Sequence, residues 1–368
     1  MLRFKGSQQF RQRVVCACLS NRAIRIDDIR SRDENPGLRD YEANLLRLVE
    51  RITNGTVVEI NETGTSMRFK PGIVTGGGGH VHDCGTARGI GYYLEPLVML
   101  ALFGKMPLAI TLKGITNSQG DPTVDTWRTV TLPLLRHCGV EDGLELKVVR
   151  RGAAPKGGGE VFLKIPLIKH LNPLIMVDEG MIKRVRGVAY STRVSPQTSN
   201  RMVDAARGIL NKLLPDVYIF TDHVSGAEAG LSPGFGLSLV AETTSGRLLA
   251  AEATAGSRQE GDGEGGEGLL VVPEDVGAHA ARCLLEEARR GGVCDSLHQG
   301  LLLLLCAVGA DEVSKVRLGA LTPHAVRTLR HIKAFFNVTF SIKADPDTGT
   351  VFLTCVGAAI KNVAKKML

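Results

Sequence analysis

The chain has 368 residues, of which 43% are apolar and 23% charged, a composition typical of globular proteins that excludes disordered and fibrous classes. Lysine and arginine outnumber aspartate and glutamate by 45 to 38, a mild basic excess that permits a polyanionic partner without requiring one. Aromatic residues make up only 5%, which argues against a single-strand binder built on aromatic stacking platforms.

The longest apolar run, Leu301 to Val308, has the length of a core helix, so the sequence predicts no membrane span. The N-terminus carries no apolar signal core. The eight cysteines form no Cys-x-x-Cys pair, and several lie in apolar stretches. This pattern predicts reduced, buried thiols in a cytosolic or nuclear compartment, with no zinc or other metal site and no cofactor.

Apolar spacing predicts the same order of elements three times, namely helix, strand, helix, strand, strand. The first copy is predicted at Phe10 to Leu19, Ile24 to Ile26, Asp40 to Ile52, Val57 to Ile60 and Ser66 to Phe69. The second is predicted at Tyr92 to Phe103, Leu108 to Leu112, Val124 to His137, Leu144 to Val149 and Val161 to Ile165. The third is predicted at Leu301 to Val308, Val316 to Leu318, His324 to Phe336, Thr339 to Ile342 and Val351 to Cys355. Such units bury their sheet faces against one another, so the class is α/β (α+β), with helices covering sheets.

Residues 185–273 lie between the second and third copies and do not follow the repeat. They are predicted to form a strand, a helix and three further strands, at Gly187 to Val194, Asn200 to Leu214, Val217 to Thr221, Leu237 to Thr243 and Leu248 to Ala253. We therefore predict a small inserted α/β domain at 185–273, between two parts of a large domain at 1–184 and 274–368. The Gly- and Glu-rich stretch at 256–268 predicts a solvated flexible loop.

A glycine-rich segment with basic neighbours connects two predicted strands of the second copy. Arg150, Arg151 and Lys156 precede or adjoin three consecutive glycines, Gly157, Gly158 and Gly159. Consecutive glycines allow close approach of a ligand, and their amides can form an anion nest beside the cations. A wide turn between two strands is the alternative interpretation.

Two further loops carry candidate ligand-binding side chains. Arg30, Arg32 and Arg39 surround an Asn-Pro-Gly turn and could bind phosphate oxygens, or could pair with neighbouring acidic residues in a solvated loop. His80 and His82 follow four glycines and could ligate a metal. Because no distant partner ligands are evident, we expect a flexible surface loop there. The basic face of the last repeat helix, which carries Arg327, Arg330 and His331, is expected to be solvated.

The three repeats and the Arg-Gly-x-x-Pro-x-Gly-Gly-Gly segment at 151–159 resemble the RNA 3′-terminal phosphate cyclase superfamily over nearly the whole chain. In that superfamily the large domain contains three copies of a fold like the C-terminal domain of bacterial initiation factor three, and an insert precedes the third. Several stretches are similar to its eukaryotic cyclase-like branch, namely 6–13, 35–42, 187–196 and 232–236.

The resemblance implies a function in ribosome biogenesis. Members of the branch are nucleolar factors of pre-rRNA processing that mature the 18S rRNA of the small subunit within the small-subunit processome. They bind a ribosome-biogenesis GTPase and are regarded as lacking cyclase activity. We therefore expect a non-catalytic nuclear RNA-binding factor whose partners are pre-ribosomal RNA and that GTPase, with no membrane. Arg30, Arg32, Arg39, Arg150, Arg151 and Lys156 would line the former cyclase cleft.

The family's catalytic motifs are altered at several positions of this sequence. The stretch that is Glu-Gly-Gly-Gly-Gln in cyclases starts here with Lys5, and the Gln-His pair after Pro-Gly-Leu is replaced by Tyr41 and Glu42. The motif Ala-Asp-Gln-Leu becomes a stretch in which His298 replaces the aspartate. Loss of carboxylates weakens Mg²⁺ binding, on which phosphoryl transfer depends. The nucleophilic histidine has a counterpart in His324, although Arg327 follows where a threonine is expected.

Two catalytic alternatives remain open from the sequence. Residual cyclase chemistry would use His324. A pre-rRNA endonuclease could use metal ions held by the acidic residues Asp33, Glu34, Asp40 and Glu42. A metal-free nuclease could instead use Arg330, His331 and Lys333 of the last repeat helix. The spacing of these residues selects neither mechanism.

Overall fold

The computed structural model describes residues 1–256 and 272–362. From residue 257 onward, the predicted flexible stretch at 256–268 lies outside the described residues. Mixed sheets with helices packed on them confirm the predicted mixed α/β class.

The first unit begins with a strand that the sequence did not reveal. Its elements are β1 (Leu2–Lys5), α1 (Phe10–Ser20), β2 (Ile24–Asp27), α2 (Asp40–Ile52), β3 (Thr53–Asn54), β4 (Val57–Ile60), β5 (Met67–Lys70) and β6 (Ile73–Val74). The sheet order is β1-β2-β5-β4, with β1 and β2 parallel and the other pairs antiparallel. The short strands β3 and β6 form a separate ribbon.

The second unit repeats this topology. Its elements are β7 (Gly77–Asp83), α3 (Ile90–Ala101), β8 (Leu108–Gly114), α4 (Val124–Thr126), a π-helical turn (Trp127–Thr131), α5 (Leu132–His137), β9 (Glu145–Arg150) and β10 (Gly159–Ile165). The sheet order is β7-β8-β10-β9. The prediction of a flexible surface loop at His80 and His82 was wrong, because this segment is strand β7 and pairs in parallel with β8. His82 is buried, and burial lowers its pKa to about 4.

The insert interrupts the third unit instead of preceding it. In chain order the elements are β11 (Ile175–Met176), β12 (Ile182–Thr192), α6 (Gln197–Leu210), β13 (Val217–Val224), β14 (Gly234–Thr243), β15 (Leu248–Thr254), α7 (Pro273–Arg290), α8 (Gln299–Val308), β16 (Val313–Leu318), α9 (Pro323–Phe336), β17 (Ser341–Ala344) and β18 (Val351–Val356). The third sheet has the order β11-β16-β18-β17, so its first strand lies before the insert.

The insert forms its own sheet, ordered β13-β12-β14-β15, with α6 and α7 packed on one face. Val276, Ala280 and Leu284 of α7 are buried in the apolar core of the insert together with Met202 and Leu239. The sequence analysis missed α7. We therefore place the C-terminal limit of the inserted unit near residue 290 and not at 273.

The core of the large domain is continuous across the three units. Every residue of α3 and of α8 is buried, and a helix that is apolar all round must be enclosed by other elements. All eight cysteines are free thiols and six are buried, as predicted. Within the described residues, no helix has both the length and the apolar character needed to cross a bilayer.

Candidate functional site

A cleft of about 740 Å³ lies where the three units and the insert meet. Its walls come from the turn before α1, the starts of α2, α3 and α9, strand β15 of the insert, and the C-terminal half of α7. The predicted site residues that line it are Arg30, Tyr41, Glu42, His324 and Arg327.

His324 occupies the start of α9 on one wall of this cleft. Thr322 caps the helix by accepting a hydrogen bond from the amide of Ala325 at 3.1 Å. The imidazole ring packs against α8 at Gly300, where a Cβ atom would come within 2.7 Å of the ring. The sequence prediction that this histidine lies at the former catalytic position is therefore consistent with its placement in the cleft.

The ring nitrogens of His324 face side-chain amides. Nε2 lies 2.9 Å from Nε2 of Gln12, whose Oε1 accepts from the Thr328 hydroxyl at 3.3 Å. Since the Gln12 amide nitrogen is a donor, the His324 Nε2 lone pair accepts a hydrogen bond from it. Burial lowers the pKa of His324, against an opposing effect of Glu95. The ring is therefore neutral, and the lone pair needed by a nucleophile is already in use.

The opposite wall is an array of paired charges and aromatic rings. Arg11 donates to Glu95 at 2.5 Å, and its guanidinium lies 4.9 Å from the centre of the Tyr92 ring. Arg88 forms a two-bond ion pair with Asp121 and lies 4.7 Å from the same ring. The charge of each of these arginines is thus neutralised by a carboxylate of the protein.

Arg30, the predicted phosphate ligand that reaches the cleft, is paired as well. It donates two hydrogen bonds to Glu42, at 2.7 and 2.8 Å. Glu42 is buried and also caps α2 by accepting from the backbone amide of Arg39 at 2.9 Å. Glu42, at a position where the sequence resemblance predicts a Gln-His pair in cyclases, therefore neutralises Arg30.

The lining of the cleft is not cationic. It includes four arginines and five carboxylates, namely Arg11, Arg30, Arg88 and Arg327 with Glu42, Glu95, Asp121, Glu252 and Glu287. Among the described residues, Arg327 is the lining arginine without an ion-pair partner, and it is exposed. The described part of the chain holds no group of three or more His, Cys, Asp or Glu side chains arranged to bind a metal.

The predicted anion site at 150–159 lies elsewhere, and the structure contradicts the proposed role of Arg151. Its side chain is 3% exposed and is held by Asp125 and by Asp222, the latter at 2.9 Å from Nε. Arg150 is exposed and lies 3.8 Å from Glu160. Lys156 is exposed, with its backbone amide bonded to Ser232. None of the three lines the cleft.

The three glycines of this segment serve close packing of backbones. A Cβ at Gly158 would approach the amide of Leu231 to 2.9 Å, and one at Gly159 would approach the carbonyl of Gly114 to 2.8 Å. Gly157 has φ +65° and donates its amide to Ala153. The alternative interpretation as a turn therefore accounts for Gly157, Gly158 and Gly159, which join the insert to the second unit.

The remaining candidates are also dispersed. Arg32 is exposed, and Arg39 lies 3.8 Å from Asp33. On α9, Arg330 and Lys333 are exposed, whereas His331 is buried. This burial contradicts the solvated basic face predicted for His331 and its role as a general base, because no substrate can reach its ring.

Lys5 and His298 are two further positions at which the sequence resemblance predicts an altered catalytic motif. Lys5 is exposed and lies 3.6 Å from Asp28. His298 is buried, with Nδ1 2.8 Å from Asp295 and Nε2 2.8 Å from the Thr131 hydroxyl. Burial lowers the pKa of His298, but Asp295 more than compensates, so the pKa is raised. This pair joins α8 to the second unit and does not face the cleft.

Sequence analysis missed Arg11, Gln12, Arg88 and Glu95 as cleft residues. A signal existed for Glu95, which is a single charge within the apolar helix α3. A buried carboxylate requires a partner, but its partners lie 83 and 84 residues away, on α1. Nothing in the local pattern identifies them.

Comparison with known proteins gives a consistent result. A family model described as RNA 3′-terminal phosphate cyclase matches residues 2–342. The chain is 51% identical over 368 residues to a probable RNA 3′-terminal phosphate cyclase-like protein of Dictyostelium discoideum, covering 99% of each chain. It is 50% identical to the RNA 3′-terminal phosphate cyclase-like protein of Homo sapiens, covering 100% of this chain and 98% of that one. It is 43% identical to an rRNA processing protein of Schizosaccharomyces pombe, covering 99% and 98%.

Proposed function

The chain belongs to the RNA 3′-terminal phosphate cyclase family, and from this premise we propose that it is a non-catalytic member that acts in rRNA processing. The observation that carries the non-catalytic part is the hydrogen bond from Gln12 to Nε2 of His324. A histidine acts as a nucleophile through an unshared lone pair aimed at its substrate. Here that lone pair accepts a hydrogen bond from Gln12.

The charges around His324 support the same proposal. Transfer of a nucleotide phosphoryl group needs cations to stabilise the developing charge. Arg11, Arg30 and Arg88 face carboxylates of the protein, so a triphosphate would have to break ion pairs to use them. Lys5 replaces a carboxylate of the cyclase motif and is directed to solvent. Three of the four arginines that line the cleft are thus neutralised by carboxylates of the protein itself.

The finer assignment rests on the family branch that the sequence resembles. We propose that the protein is nucleolar, binds pre-ribosomal RNA and a ribosome-biogenesis GTPase, and contributes to maturation of 18S rRNA in the small-subunit processome. The cleft is proposed to hold a segment of the protein partner. Arg327, exposed at its edge, is available for an acidic side chain of that segment.

A label-transfer experiment tests the absence of catalysis. The purified full chain and its His324→Ala variant are incubated with α-labelled ATP or GTP, Mg²⁺ and an RNA that ends in a 3′-phosphate, beside an active cyclase as positive control. We expect no covalent nucleotide adduct on either protein. An adduct on the wild type that disappears in H324A would overturn the proposal.

Complementation tests the role in rRNA processing. Cells depleted of the protein are expected to accumulate unprocessed pre-rRNA, measured by hybridisation with spacer probes. H324A is expected to restore processing to the wild-type level, because the proposed function does not require His324 as a nucleophile. Normal pre-rRNA processing in depleted cells would contradict the proposed role, whereas failure of H324A alone would contradict only its non-catalytic part.

A further inference from the structure

The solvent face of the first sheet carries three arginines in a row on adjacent strands. The register pairs Arg3 of β1 with Arg25 of β2, and Arg25 with Arg68 of β5. Side chains alternate between the faces of a strand, and the intervening residues Ile24 and Phe69 are buried. All three guanidinium groups therefore project from the same open face, with Arg25 and Arg68 about half exposed at 47% and 54%.

Two lysines extend this row, which we call the arginine face. Lys5 lies two residues along β1 from Arg3, and Lys70 two residues along β5 from Arg68. Three of these five cations form ion pairs with carboxylates: Arg25 with Asp27 at 2.9 Å, Arg68 with Glu59 at 3.2 Å and Lys5 with Asp28 at 3.6 Å. Within the described ranges 1–256 and 272–362, Arg3 and Lys70 form no ion pair.

The second sheet has the same topology but a different charge pattern. One outward row of that sheet reads Asp83, Lys113, Glu160, Arg150 across four adjacent strands. Opposite charges on facing strands support a sheet, and like charges directly opposite destabilise it. This row of the second sheet follows the rule at every pair. The matching row of the first sheet continues to Glu59 of β4 opposite Arg68, but it places like charges opposite each other twice, at Arg3–Arg25 and at Arg25–Arg68. Stability of the fold therefore does not account for the arginine face, whereas an external anion would.

We propose that the arginine face binds the phosphodiester backbone of RNA, an inference that rests on the proposed function in rRNA processing. The guanidinium fork matches phosphate oxygens in two-bond geometry. The outward positions of β1, β2 and β5 are all charged, whereas cores of protein interfaces are depleted in charge and enriched in aromatic residues. Binding would be to the backbone and independent of base sequence, because no ring is available to stack.

The test measures affinity for a labelled single-stranded RNA over a series of salt concentrations. The full-length R3Q/R25Q/R68Q variant is compared with wild type and with K113Q/K147Q/K164Q, which removes the same charge from the outer face of the second sheet. Each phosphate contact contributes about 0.7 to the slope of log affinity against log salt, so loss of three contacts should reduce the slope by about 2. The control variant should keep the wild-type slope.

Three outcomes would overturn the inference. The slope of R3Q/R25Q/R68Q could equal that of wild type while its melting temperature shows an intact fold. The second-sheet control could lose as much, which would indicate net charge alone. Polyglutamate could compete as well as RNA of equal charge, which would indicate an acidic protein partner. None of these bears on label transfer or on rescue by H324A, so this inference and the proposed function fail separately.

Discussion

His331 illustrates how a residue that appears reactive in the sequence becomes structural in the fold. Its ring lies between Phe4, at 5.6 Å between ring centres, and Phe335, at 6.5 Å. Nε2 accepts a hydrogen bond from Arg13 at 3.4 Å. Burial, with a smaller effect of Arg13, lowers the pKa of His331 to about 4. The neutral ring thus helps to join β1, α1 and α9.

This shifted pKa predicts acid sensitivity. The unfolded chain binds the proton with a pKa of about 6.5, so His331 favours the folded state above that pH. Its contribution to stability is lost as the pH falls from 6.5 to about 4, and a full shift corresponds to roughly 3 kcal/mol. We expect His331→Phe to flatten the pH dependence of the free energy of unfolding over this range.

Urea denaturation from pH 7 to pH 4 measures this effect. His82, which is also buried with a pKa lowered to about 4, titrates in the same range and remains in both proteins. The exposed His137→Phe variant serves as the matched control. Equal pH dependence of wild type and H331F would show that His331 takes up its proton without cost to the fold.

At the scale of elements, α6 and α7 approach so closely that one position requires glycine. A Cβ on Gly277 of α7 would lie 2.2 Å from the backbone carbonyl oxygen of Met202 on α6. Backbone cannot yield as a flexible side chain does, so the helices would have to separate. Gly208 on α6 is the matched case, because a Cβ there would meet no atom within 4 Å.

Two glycine substitutions should therefore have opposite effects. Alanine favours a helix over glycine by up to about 1 kcal/mol, so Gly208→Ala should stabilise the protein slightly. Gly277→Ala should instead destabilise it, by about 1–3 kcal/mol, because overpacking outweighs helix propensity. Thermal unfolding of both variants decides the point. A melting temperature of G277A at or above that of wild type would contradict the close helix contact.

Elements with strong apolar spacing were predictable, and those without it were not. The sequence placed α2 at Asp40–Ile52 and β4 at Val57–Ile60, the observed limits. It placed α6 at 200–214, whereas the helix spans Gln197–Leu210. Strand β4 has only four residues, but it pairs with its chain neighbour β5. The first strands β1 and β11 were missed because they pair with strands that lie beyond intervening elements. No local pattern can report such pairing.

The residues of the cleft were likewise predictable only in part from the sequence. His324 was identified because a motif near the start of a helix carries it, and the structure places it in the cleft. The prediction of an anion site at 150–159 was wrong for Arg151. It was based on the composition of the segment, in which cations adjoin three glycines. The burial of Arg151 depends on Asp125 and Asp222, from two other parts of the chain. Composition reveals a charge but not whether the fold already neutralises it.

At the scale of the molecule, the insert docks on the second unit through Glu252 of β15. This half-buried carboxylate accepts from the Thr123 hydroxyl at 2.8 Å, the Thr126 hydroxyl at 2.6 Å and the Thr123 amide at 3.1 Å. Burial raises the pKa of Glu252, against the effect of these donors. The bonds join β15 to the start of α4, on the border of the cleft.

Replacement of Glu252 should loosen this docking while each unit stays folded. Glu252→Ala removes the carboxylate acceptor of the Thr126 hydroxyl and of the Thr123 amide, and an unsatisfied buried donor costs about 1–3 kcal/mol. Glu252→Gln keeps one acceptor oxygen and should cost less. Hydrogen exchange followed by mass spectrometry should show faster exchange at 123–131 and 248–254 in E252A, with unchanged protection of α2. Because the insert has its own core, protection of α6 should also persist. Loss of protection throughout E252A would instead mean that insert and large domain unfold as one cooperative unit, with Glu252 a part of that common core.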